Sequence, residues 1–205
     1  MTDGAKTHDG GLEAGLVADG VGEILVGADD IARRVREIGE QITDEYRGRK
    51  PLMVVVLKGA VLFSADLIRA IDLPVEIDFM AVSSYGASTR SSGVVRIMKD
   101  LDVDITGRDV ILVEDIVDSG LTLQYLRKSI NARGPASLAV CALLLREEDA
   151  ADAADGAGAP VNGVASTPIE YVGFRLPKVW VVGYGLDLDQ RYRNLPDIRA
   201  FDEDH

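Results

Sequence analysis

The chain has 205 residues, 47% of them hydrophobic and 27% charged, the balance of a single soluble globular domain. With 22 basic against 34 acidic residues it carries a formal net charge of −12, which argues against electrostatic binding to nucleic acid or to an anionic membrane. The longest apolar run, Leu138 to Leu145, is far shorter than the ~20 residues needed to span a bilayer.

Residues 1–20 are mostly Gly, Asp, Thr and Ala and read as a flexible arm ahead of one domain over 21–205. No basic stretch followed by an apolar one opens the sequence, so no secretory signal and a cytoplasmic location are expected. Asp29 or Asp30 is a candidate N-cap for a helix whose Ile31, Val35, Ile38, Ile42 and Tyr46 recur at spacings of four and three. A short strand from Met53 to Leu57 follows, then a Lys58-Gly59 break and a helix to about Ile71, closed by Leu73-Pro74. Val75, Ile77, Phe79 and Ala81 alternate with Glu76 and Asp78, predicting a half-buried strand with the apolar set inward. Residues 83–93 are small and polar, a long loop of the kind that often serves as a lid, and the chain returns antiparallel through Val94 to Met98.

Val110 to Val113 has the β-branched continuity of a strand buried on both faces, and it ends in Glu114-Asp115. After the Gly120 turn, Leu123, Leu126 and Ile130 mark another helix, and Leu138 to Leu145 is the next buried strand, with Cys141 as a small buried side chain. A lone cysteine cannot form an intramolecular disulfide, which fits a reducing compartment. Residues 147–167 are low-complexity Ala, Asp and Gly, read as a solvated insertion holding no site. Strands at Ile169 to Val172 and Val179 to Val182 lead into an Arg- and Asp-rich tail. Strands alternating with helices specify an α/β fold with a mostly parallel sheet.

The chemistry concentrates in residues 110–122. In an open α/β sheet the ligand crevice lies beyond the carboxyl ends of the strands, where Glu114 and Asp115 fall. Asp118-Ser119-Gly120-Leu121-Thr122 then bridges to a helix, so its N–H groups and hydroxyls form a phosphate cradle at the positive end of the helix dipole. The adjacent carboxylates suit two neighbouring sugar hydroxyls. The histidines, His8 and His205, stand near the ends of the sequence, so a Ser-His-Asp triad or a His-bound metal is not expected.

This stretch resembles the phosphoribosyl-pyrophosphate (PRPP) binding signature of the type I phosphoribosyltransferases, and further segments point to their hypoxanthine-guanine branch. These are LKGAVLF at 57–63, DFMAVSSYG at 78–86, VRIMKDLD at 95–102, VGF at 172–174 and VVGYGLDLDQRYRNLP at 181–196. The resemblance implies a mostly parallel central sheet flanked by helices, with a small hood and a mobile antiparallel lid loop. It implies transfer of a ribosyl 5-phosphate from PRPP to hypoxanthine or guanine, with release of pyrophosphate through an oxocarbenium-like state. PRPP contacts then fall to Lys58, Gly59, Glu114, Asp115, Asp118, Ser119, Gly120, Leu121, Thr122 and Arg193, with an unusual cis peptide before the glycine of the Lys-Gly pair. Ser84 and Tyr85 belong to the lid. Asp118 is the candidate general base for the purine proton. Trp180 offers an aromatic face to the base, with Val181, Asp187 and Arg146 as its other contacts. Arg146 stands where relatives carry a lysine that binds the six-oxo group, and the two are not interchangeable. Glu114, Asp115 and Asp187 are the candidate magnesium ligands. The partners implied are PRPP and a six-oxopurine, without nucleic acid or membrane, in a homo-oligomer, a dimer or tetramer. Two alternatives share the fold: a xanthine-preferring enzyme, and an RNA-binding regulator of pyrimidine operons, against which the net charge counts.

Overall fold

A computed structural model describes residues 20–84, 95–118, 120–146 and 168–202. The expectations for the arm, for Tyr85 and the rest of the lid, for Ser119 and for the 147–167 insertion lie outside these residues, as does the side chain of Ser84.

The chain order is β1 (Val21–Val26), α1 (Ala28–Glu45), β2 (Leu52–Leu57), α2 (Val61–Ala70), β3 (Glu76–Ser84), β4 (Val95–Lys99), β5 (Asp109–Val117), α3 (Leu121–Asn131), β6 (Ser137–Arg146), β7 (Tyr171–Leu176), β8 (Val181–Val182) and β9 (Ile198–Phe201). Six strands form the central sheet in the order β4-β3-β2-β5-β6-β7, parallel throughout except for the antiparallel β3–β4 pair. A second sheet, β1-β9-β8, is antiparallel and forms the hood. The α/β class and the antiparallel excursion are as the sequence predicts. Among the described residues no helix is long and apolar enough to cross a membrane.

The central strands are apolar on both faces because both faces are covered. Met53, Val55, Ile111, Val113 and Cys141 point to the side of α1 and α2, where they meet Ile31, Val35, Ile38, Phe63 and Leu67. Leu52, Val54, Val110, Leu112 and Val140 point the other way, onto Leu123, Leu126 and Ile130 of α3. Each such side chain contributes about 1.5–3 kcal/mol when fully buried. The two helices on one face approach closely at Gly39, where a Cβ would fall 2.6 Å from the Ala70 carbonyl oxygen.

Several local expectations are corrected. Helix α1 begins one residue before Asp29, with Gly27 as its N-cap, so both aspartates lie in the first turn and act on the helix dipole instead of capping it. The alternation in β3 is buried in the opposite sense: Asp78 and Met80 are buried while Ile77 is 45% exposed. The reason is a local anchor. Asp78 accepts hydrogen bonds from the backbone N–H groups of Phe79, Asp102 and Val103 and lies 3.6 Å from Lys99 Nζ. Burial opposes its charge, but these donors together hold its carboxyl below the usual range. The strand expected at 169–172 is displaced to Tyr171–Leu176, set by its pairing with β6. The Arg- and Asp-rich tail, for which no strand was expected, contains Ile198–Phe201, the middle strand of the hood, paired with β1 and β8.

Candidate active site

Strand order reverses between β2 and β5: from β2 the chain moves outward to β3, and from β5 it moves the other way to β6. Their pairing ends at Val55 with Val113, although β2 continues to Leu57 and β5 to Val117. The two strands therefore part at their carboxyl ends, the switch point at which open α/β sheets bind ligands. Glu114 and Asp115 are thus not the end of their strand, which still pairs with β6 at Val117; they stand where its other neighbour leaves.

A cleft of about 420 Å³ opens there, lined by Val56, Leu57, Lys58, Gly59, Val82, Glu114, Asp115, Ile116, Thr122, Asp187 and Arg193. Seven of the residues picked from sequence, Lys58, Gly59, Glu114, Asp115, Thr122, Asp187 and Arg193, meet in it. A cleft of equal volume lies between α1 and α2 around Arg36, Glu40, Asp66 and Arg69, away from every strand end.

Packing fixes the floor of the switch-point cleft. A Cβ on Gly59 would lie 2.5 Å from Asp115 Cγ and closer still to Oδ2. On its other side, a Cβ on Gly185, at φ +101°, would run into the Gly59 carbonyl oxygen. Only glycines allow these three segments to meet. The expected cis peptide sits one bond earlier, at Leu57–Lys58, where β2 ends.

Charge is concentrated on this floor. Burial raises the Glu114 carboxyl well above its ordinary range, and the Asp115 charge adds to the effect. Asp115 is also raised, first by burial, although its Oδ1 accepts the Ile116 N–H at 2.8 Å and Arg193 acts in the opposite direction. Arg193 pairs with Asp187 at 2.7 Å and donates to the Gly185 carbonyl at 2.7 Å. Gly120, at φ +70°, is the N-cap that turns the chain into α3 and offers no side chain to its first N–H groups, and Thr122 in the first turn of that helix lines the cleft. Leu121 opens that helix, partly exposed.

The residues expected to contact a base lie around Arg146, at the end of β6. Its guanidinium donates to the carbonyls of Pro177 and Val179, and Nε stands 3.6 Å from Asp118 Oδ1. Asp118 is 64% exposed and Trp180 58% exposed, so both are open to a ligand. Val181 is corrected in part: its side chain is buried in the core, which leaves only its main chain to face a base. Sequence reading missed Gln190, which links Lys58 to Arg193, and Tyr184, whose hydroxyl donates to Asp66 at 2.7 Å. The signal was the Gly183-Tyr184-Gly185 run, a turn in which all three residues take positive φ.

Residues 24–187 match the model of the phosphoribosyl transferase domain. This chain belongs to the phosphoribosyltransferase family. It is 49% identical over 208 residues to a hypoxanthine-guanine phosphoribosyltransferase of Mycobacterium tuberculosis, covering 98% of this chain and 96% of that protein. A crystal structure of a hypoxanthine-guanine phosphoribosyltransferase from Bacillus anthracis superposes with a TM-score of 0.78 at 39% identity, covering 89% of this chain and 99% of that one. A hypoxanthine-guanine-xanthine phosphoribosyltransferase structure gives 0.76 at 36% identity, covering 90% and 99%. Within the phosphoribosyltransferases the chain falls in the hypoxanthine-guanine branch, the enzymes of purine salvage, and not with the operon regulators.

Proposed function

We propose that the switch-point cleft binds PRPP and that the segment from Arg146 to Trp180 presents a six-oxopurine to it. The observation that carries this reading is the convergence of Lys58, Gly59, Glu114, Asp115, Thr122, Asp187 and Arg193 in one cleft from four separate parts of the chain. The 5-phosphate sits on the N–H groups at the start of α3, after Gly120, where the helix dipole favours an anion. Glu114 and Asp115 accept the two ribose hydroxyls. Lys58 and Arg193 face the pyrophosphate, and the main chain at Gly59 approaches it without a side chain in the way.

Among the described residues no three carboxylates, cysteines or histidines form a ready-made metal cage. That suits magnesium, which is commonly bound by one or two carboxylates plus substrate phosphate oxygens and water. The excess of negative charge on the cleft floor, with burial raising both Glu114 and Asp115, also fits a divalent cation. Of the three carboxylates expected as its ligands, Asp115 and Asp187 would hold it, with Glu114 left to the ribose because the three do not form one cage, and when bound it would offset the charge of the leaving pyrophosphate.

Asp118 takes the purine proton as nitrogen attacks the anomeric carbon. Its exposure leaves it free to meet the base, and the Arg146 guanidinium holds it on the base side of the cleft. A guanidinium presents only donors, so Arg146 suits the six-oxo acceptor of hypoxanthine or guanine and opposes the amino group of adenine. Trp180 stacks on any purine and adds affinity without choice.

The test is kcat/KM for hypoxanthine, guanine, xanthine and adenine at saturating PRPP and magnesium. Hypoxanthine and guanine are both used, xanthine is weak, and adenine falls below them by about 10⁴, as sites built on polar pairing allow. Adenine within tenfold of hypoxanthine refutes the base-side assignment while leaving the PRPP site standing.

A further inference from the structure

Gln190 lies on the turn between Leu188 and Arg191, exposed, at φ +66°. Its carboxamide oxygen accepts a hydrogen bond from Lys58 Nζ at 3.1 Å and one from an Arg193 terminal nitrogen at 3.3 Å. Its main-chain N–H and its Nε2 both donate to Asp187 Oδ2, at 2.8 and 3.4 Å. Two cations require an acceptor and the carboxylate requires donors, so the orientation of the amide is fixed by its neighbours.

An oxygen held between an ammonium and a guanidinium at the mouth of a phosphate-binding cleft is the arrangement in which a pyrophosphate oxygen is bound. Here a neutral carboxamide oxygen takes that position. The main-chain bond from Gln190 to Asp187 holds the turn independently of the side chain, and the exposure of the side chain leaves it room to swing into solvent. The arrangement is a contest between one uncharged acceptor and an anion for the same two donors.

We propose that Gln190 competes with pyrophosphate for Lys58 and Arg193, and so sets how readily that product leaves. The inference rests on the pyrophosphate reading of the cleft given above. Gln190 acts through the two cations and is a positioning residue, not a catalytic one.

The probe is inorganic pyrophosphate with magnesium, titrated calorimetrically into the full chain. Gln190→Asn keeps the amide and tolerates the left-handed backbone, but it is one methylene too short to reach both cations. It tightens pyrophosphate by ~3–10-fold, the scale of one exposed charge-assisted hydrogen bond. Gln190→Glu places a full negative charge between the cations and weakens pyrophosphate by about tenfold, an effect that shrinks as salt is raised. In steady state the inhibition constant of pyrophosphate moves the same way in each variant. Gln190→Gly, which accepts positive φ without strain, repeats the Asn result should that variant fold poorly. A merely structural role predicts that all three variants weaken binding, and that result overturns the proposal. Lys58→Ala and Arg193→Ala separate the two layers. If both leave pyrophosphate binding unchanged, the reading of the cleft itself fails. If they abolish it while the Gln190 variants match wild type, only the competition is refuted.

Discussion

Substituting alanine at Gly59 tests whether the close approach of the turn after β2 to Asp115 builds the proposed PRPP site. The new methyl carbon would stand 2.5 Å from Asp115 Cγ and closer still to Oδ2, whereas ordinary contact begins at 3.4 Å, so the carboxylate must retreat by about 2 Å. The other side offers no relief, because Gly185 already packs on the Gly59 carbonyl. Asp115 is also tied by the Ile116 N–H at 2.8 Å, so moving it breaks a hydrogen bond in a buried place. Overpacking of this kind costs about 1–3 kcal/mol, a fall of roughly 3–10 °C in Tm for a chain of this size. Misplacing the carboxylate proposed to bind ribose by ~1 Å or more costs on the order of 10² in rate. Gly59→Ala is therefore expected to remain folded while kcat/KM for PRPP, measured at saturating guanine, falls about a hundredfold. Gly107→Ala is the control: its φ of +69° strains the new side chain, but nothing lies within 4 Å and the cleft is untouched. A Gly59→Ala enzyme within threefold of wild type, with an unchanged Tm, would show that this close approach does not build the site.

Asp118→Asn is expected to lower turnover by roughly 10²–10⁴ while stability moves by no more than ~0.5 kcal/mol, since the side chain is 64% exposed; turnover within threefold of wild type removes it from the base role. Burial, aided by the Asp115 charge, raises the Glu114 carboxyl, so the folded chain holds that proton more tightly than the unfolded one, and stability falls as pH rises above the ordinary value of 4.5 toward the raised one. Glu114→Gln should therefore raise the Tm of the metal-free protein by a few degrees at pH 8 and by less at pH 5, at the expense of activity. Equal gains at both pH values, or a loss, refute the buried charge. Asp78 behaves in the opposite sense: its contribution is present above the ordinary value of 3.8 and is lost as pH falls through its lowered one. Asp78→Asn should cost about 1–3 kcal/mol at pH 7 and flatten the acid limb of a Tm-against-pH curve; parallel acid limbs in the two proteins would refute it.

The central sheet was legible because its strands are short, continuous and β-branched, and helix α1 because Ile31, Val35, Ile38 and Ile42 repeat on one face. These are local periodicities, carried by the order of residues along a single element. The strand and helix that flank the proposed phosphate cradle were legible for the same reason, since they follow one another closely as Asp109–Val117 and Leu121–Asn131. Of the three hood strands only β8 was legible, inside the run from Val179 to Val182; the other two were not. Val21–Val26 and Ile198–Phe201 pair across almost the whole chain, and their pattern of burial exists only once they meet. The face of β3 was misread because Asp78 is buried by its bonds to Asp102 and Val103, partners that alternation within the strand does not reveal.

The sequence alone determined which residue types and turns were available: the acids after β5, the glycines, and the Lys-Gly and Asp-x-x-Gln-x-x-Arg segments. Only the tertiary structure decided that Gly59, Asp115 and Gly185 stack on one another, that Lys58 and Arg193 share the oxygen of Gln190, and that the acids stand where β2 leaves β5. The physical reason is range. Propensity, capping and periodicity act over a few residues, whereas the exclusion of a methyl group or the sharing of one oxygen between two cations depends on segments more than a hundred residues apart being brought to van der Waals distance, which only the packed sheet does.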